Sequence, residues 1–112
     1  PAAFIAKAVI AERLSDYLTA EQAFRTASEM SKDEKEALRL TAAAWRNVSR
    51  AGELNRAADE LIDLLQSTDA IVVEVRLEAA VAAFKAGRLK IASELAQTLD
   101  DQYRSIYERR TK

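Results

Sequence analysis

The sequence predicts an all-α protein built from three antiparallel helix hairpins stacked one after another. Three observations lead there. One helical pattern recurs three times: Ser15-x-Tyr17-x-x-Ala20-x-x-x-Phe24-x-x-Ala27, Gly52-x-Leu54-x-x-Ala57-x-x-x-Leu61-x-x-Leu64, and Gly87-x-Leu89-x-x-Ala92-x-x-x-Ala96-x-x-Leu99. The starts lie 37 and 35 residues apart, the spacing of helical repeat units. Composition agrees. Alanine supplies 23 of 112 residues against two glycines and one proline, which favours helices that approach closely and turn sharply.

Each element follows in order. The first helix spans residues 3–14, with Phe4, Ala8, Ala11 and Leu14 along one face. Ser15 and Asp16 break it, and Thr19 with Gln22 is expected to form a capping box for a second helix running to about Met30. Ser31 and Glu34 offer a second capping box ahead of Ala37, Leu38 and Leu40. Gly52 ends the third helix, since glycine takes the left-handed conformation without steric cost. The fourth runs from Glu53 to about Gln66. Ile71–Val75 has a strand-like composition, yet the helical spacing of Val72, Val75, Ala79, Ala82 and Ala86 makes it the start of helix five, closed by Gly87. From Arg88 the period continues through Leu95, Leu99, Tyr103 and Ile106, either as one long helix or with a seventh opening at Asp100-Asp101.

The chain is expected to be one domain, with units at about 3–31, 32–68 and 69–102 and a C-terminal extension over 103–112. A net charge of −1 gives no global attraction for nucleic acid or an anionic membrane. No apolar run approaches the roughly 20 residues that span a bilayer, so no membrane insertion is expected. No leader-like start is visible, and the expected setting is cytoplasmic, or a soluble excised domain of an exported protein.

Catalysis is not expected. The chain has neither histidine nor cysteine, which removes the commonest general base, the thiol nucleophile and the usual zinc ligands. Acid pairs such as Asp59 with Asp63 and Glu74 with Glu78 read as solvated helix faces. Two isolated glycines build no phosphate loop. No cofactor or metal is expected.

The three signatures resemble the tetratricopeptide repeat family over residues 3–102. Ala8, Ala80, Ala20, Ala57 and Ala92 supply small residues where paired helices cross, and Tyr17, Leu54, Leu89, Phe24 and Leu61 fill the layers between. Three features depart from the family pattern: Trp45 at a small-residue position, Lys7 at an apolar one, and the missing unit-closing proline. The resemblance implies a right-handed superhelical α-solenoid, and the stripe of Leu99, Tyr103 and Ile106 is expected to pack the C-terminal extension back as a cap, the alternative being a dimer contact. It also implies a non-catalytic adaptor that binds a protein or peptide segment in a concave groove lined by the first helix of each pair.

Arg39, Arg46 and Arg50 form the best functional signal. At 100° per residue they fall within about 40° of one another, and the resemblance points them into the groove. With Lys85 they are the candidate partner-binding residues, suited to an acidic segment because guanidinium holds carboxylates bidentately. The competing reading is that Glu74 and Glu78, on the neighbouring groove helix, neutralise the stripe internally. Some family members grip the C-terminal carboxylate of chaperones, but here the corresponding places hold Ile5, Val9, Ala43, Glu74 and Glu78, so no such binding is expected. Trp45, sharing a face with Leu38 and Val48, is expected in the core. The alternative function is structural, as a self-associating segment or part of a longer solenoid.

Overall fold

Among the residues described by the computed structural model, 1–111, there are six helices and no strand. Side chains are described up to Arg104, apart from Tyr103. The helices are α1 (Ala2–Arg13), α2 (Tyr17–Met30), α3 (Glu34–Arg50), α4 (Leu54–Gln66), α5 (Val73–Lys85) and α6 (Leu89–Thr111). Each packs on its neighbours in the chain, and α3 also packs on α5, an arrangement consistent with a helical repeat.

The hairpin turns share one backbone geometry. Ser15, Gly52 and Gly87 have φ of +60°, +105° and +79°. Each follows its helix as the left-handed residue of a Schellman motif. The Gly52 N–H donates to the Ser49 carbonyl and the Glu53 N–H to the Val48 carbonyl. Gly87 and Arg88 bond in the same way to Phe84 and Ala83, and Ser15 and Asp16 to Glu12 and Ala11. The sequence slots that repeat at 37 and 35 residues are therefore one structural slot.

Three local expectations are corrected. Asp16, not Thr19, caps α2, accepting the Thr19 N–H at 3.3 Å. Thr19 lies inside the first turn, so its amide needs a partner and its hydroxyl is too late to cap. Asp33, not Ser31, caps α3 through the Lys35 N–H; Ser31 comes two residues early and bonds the Asp33 carbonyl instead. Helix α5 starts at Val73, because the β-branched Val72 keeps an extended backbone at φ −125°, ψ 108°. Of the two readings of the last segment, the one long helix holds, α6 running unbroken through Asp100-Asp101 to Thr111. The Tyr103 and Ile106 side chains, on which the capping stripe was drawn, lie outside the described residues.

Two apolar clusters hold the stack. In the first, Ala8, Phe24 and Ala27 of the first hairpin meet Leu40, Ala43 and Ala44 of α3, with Ile5 packed against them. In the second, Ala42 and Leu61 of the second hairpin meet Val75, Ala79 and Ala82 of α5, with Trp45 and Leu64 at the edge. The many alanines let backbones approach, so cohesion comes from close packing more than from large side chains. Trp45 is half-buried rather than fully enclosed. An indole cannot fit a close crossing, and the guanidinium groups of Arg25 and Arg56 lie over its ring at 4.2 Å and 5.2 Å.

Candidate functional site

The arginine stripe lies along α3, and each of its members is ion-paired within the chain. Arg39 meets Glu74 at 3.2 Å, Arg46 meets Glu12 at 2.7 Å and Glu78 at 3.3 Å, and Arg50 meets Glu12 at 2.6 Å. The Asn47 amide donates to the Ala43 carbonyl at 2.9 Å and reaches Glu12 at 3.4 Å. The groups therefore bind α1, α3 and α5 to one another. Glu74 and Glu78 act as the competing sequence reading had them; Glu12 was missed. Its signal was present, since it is the one acidic residue of α1.

Electrostatics bears this out. Burial pushes the Glu12 carboxyl up, but the Arg46 hydrogen bond and charge, the Arg50 charge and the Asn47 amide together bring it below the ordinary carboxylate value. Burial likewise lowers Arg46, and Glu12 and Glu78 more than reverse that, leaving it raised. The Glu74 carboxyl is lowered by its own backbone N–H and then, against slight burial, by Arg39. Lys85 sits apart from this lattice, on the rim of a different feature.

That feature is the open side of the third hairpin. A cleft of about 620 Å³ runs between α5 and α6, floored by Ala80, Ala92 and Ala96 and walled by Leu77, Val81, Phe84, Leu89 and Leu99. Phe84 and Leu89 are 65% and 61% exposed, and Leu77 and Val81 are also exposed. Sequence reasoning placed Ala80, Leu89, Ala92, Ala96 and Leu99 in the repeat pattern without distinguishing a filled stripe from an open one, and passed over Leu77, Val81 and Phe84.

Position by position, the cleft matches the two seats already filled inside the chain. Ile5, Ala8, Phe24 and Ala27 receive α3, and their equivalents 37 residues on, Ala42, Trp45, Leu61 and Leu64, line the seat of α5. A further 35 residues on, the same positions are Leu77, Ala80, Ala96 and Leu99, all in the cleft wall or floor.

No protein-family model, no curated protein and no solved structure matches this chain. Among the described residues, no cluster of metal-binding side chains occurs and no helix is long and apolar enough to cross a membrane.

Proposed function

We propose that the chain is a non-catalytic protein–protein interaction module of the tetratricopeptide-like kind, its three hairpins forming a right-handed superhelical stack that docks a protein segment on the open seat of the third hairpin. One observation carries this reading. The seat residues Leu77 and Ala96 lie exposed, beside the exposed Val81, Phe84 and Leu89, where their equivalents Ile5, Phe24, Ala42 and Leu61 pack under a helix. Exposed apolar patches of this kind mark interaction sites on soluble proteins. Recognition of an acidic segment by Arg39, Arg46, Arg50 and Lys85 stands second, because a ligand there has to displace Glu12, Glu74 and Glu78 from the three arginines.

A photocrosslinking residue at the exposed Val81 tests the docking role. The expected result is a discrete protein adduct, lost when Leu77 is replaced by glutamate. Absence of any protein adduct at Val81 overturns it.

A further inference from the structure

We infer that the occupant of the open seat is helix α1 of a second copy of this chain, so that copies associate head to tail and continue the stack. The inference rests on the docking role proposed for the seat and adds the identity of what docks.

The two internal interfaces define what the seat accepts. The helix that enters it presents one stripe: Leu40, Ala44 and Asn47 on α3, and Val75, Ala79 and Ala82 on α5. All six are buried. The same positions on α1 are Ala3, Lys7 and Ile10, and the stripe continues to Leu14. At 100° per residue these four fall within about 60° of one another, on a side of α1 away from the buried Ala8 and flanking the buried Ala11. All four are exposed, Ile10 by 59% and Leu14 by 76%. One end of the molecule thus carries an open seat, and the other an open helix in the register that seats of this type take.

Size is compensated as well. The third seat has Ala96 where the filled seats have Phe24 and Leu61, which deepens it. The α1 stripe has Ile10 where α3 and α5 have Asn47 and Ala82, and Leu14 where they have Ala51 and Ala86. The seat's loss at Ala96 is set against the stripe's gains at Ile10 and Leu14, as close packing requires, while Ala3 is smaller than Leu40 and Val75.

Lys7 is the discordant residue, standing where α3 and α5 carry Ala44 and Ala79. Its methylene stem can lie along the seam with the ammonium in water, at a cost that weakens association. The contact is heterologous: the surface used at one end differs from that at the other, so it propagates rather than stopping at a dimer.

Sedimentation velocity on the full chain tests this with two blocking variants, Ile10→Glu and Leu77→Glu. Both sites are exposed in the single chain, and circular dichroism checks that each variant keeps its helices. The wild type is expected to gain mass beyond a dimer as concentration rises, and each variant alone to remain monomeric. An equimolar mixture is expected to form a one-to-one dimer and nothing larger, because one good end survives on each partner. Lys7→Ala should shift association to roughly tenfold lower concentration by removing a charge from the seam.

Persistent dimerisation of Ile10→Glu overturns the head-to-tail contact in favour of tail to tail, while the docking role of the seat survives. A wild type monomeric throughout also overturns it. In that case Val81 adducts to a different protein would uphold the docking role, and the absence of adducts would remove both.

Discussion

Glu12 grips Arg46 through both carboxylate oxygens, Oε1 accepting from Nε at 2.7 Å and Oε2 from Nη2 at 2.9 Å. The fork joins α1 to α3 across 34 residues of chain, and its geometry is that of the strongest charge-assisted pairs. Arg46 carries the connection on to Glu78 of α5. A row of like charges that reads as a ligand-binding ridge is, in three dimensions, half of an internal lattice.

Acid stability follows from that lattice. The folded Glu12 carboxyl titrates below its ordinary value of 4.5, so its contribution is complete above the unfolded value and is lost as pH falls through the folded one. Glu12→Gln is expected to cost about 1–3 kcal/mol at neutral pH, the range for hydrogen bonds to charged groups. The gap between wild type and variant should narrow on going from neutral to acid pH, as pH falls through the lowered folded value. Urea melts at neutral and acid pH measure this, and a gap unchanged in acid would show that charge at Glu12 contributes nothing.

Ser15 is the strained member of the three equivalent turns. Its φ of +60° disfavours any residue with a Cβ, while Gly52 and Gly87 meet the same demand freely. Ser15→Gly is expected to stabilise by about 0.5–1 kcal/mol, the left-handed penalty less the extra freedom of glycine in the unfolded chain. Gly52→Ala should lose about 1 kcal/mol by the same argument. A Cβ built at Gly52 meets no atom within 4 Å, so the loss is one of backbone conformation and not of collision. Thermal melts of the two variants moving in the same direction would contradict this account.

These turns also show how much of the molecule was legible in the sequence. The repeat period, the hairpin closures and the small residues at the crossings are local patterns, and Ala8, Ala20 and Ala57 are fully buried. The caps were less legible because Asp16, Thr19, Ser31 and Asp33 are all competent, and one residue of chain geometry chooses among them. Glu12 was missed because its partners, Arg46 and Arg50, lie 34 and 38 residues away. The open seat escaped notice for another reason: Leu77 and Leu99 look no different from Ile5 and Ala27, and only the presence or absence of a covering helix separates them.

That difference predicts unequal outcomes for one substitution at two equivalent positions. Ala57 is enclosed between helices, whereas Ala92 borders the open cleft. Ala57→Leu is expected to cost about 1–3 kcal/mol through overpacking. Ala92→Leu has free volume to expand into and should cost less than half as much. Equal losses in denaturant melts would show that the third hairpin is packed as tightly as the second.

The arginines themselves separate by burial. Arg39 and Glu74 are 45% and 60% exposed, so Arg39→Ala should change stability by no more than about 0.5 kcal/mol, and less still in high salt. Arg46 is 28% exposed and its partners Glu12 and Glu78 only 12% and 19%. Removing it takes the shared partner from two poorly solvated carboxylates, with Arg50 left to hold Glu12, and Arg46→Ala is expected to cost about 2–3 kcal/mol. A stripe maintained for an external acidic ligand makes the opposite prediction. Its arginines would be held in place against their own requirements for stability, and alanine at either position would leave the fold unharmed. Paired denaturant melts of the two variants at low and high salt decide which description holds for α3.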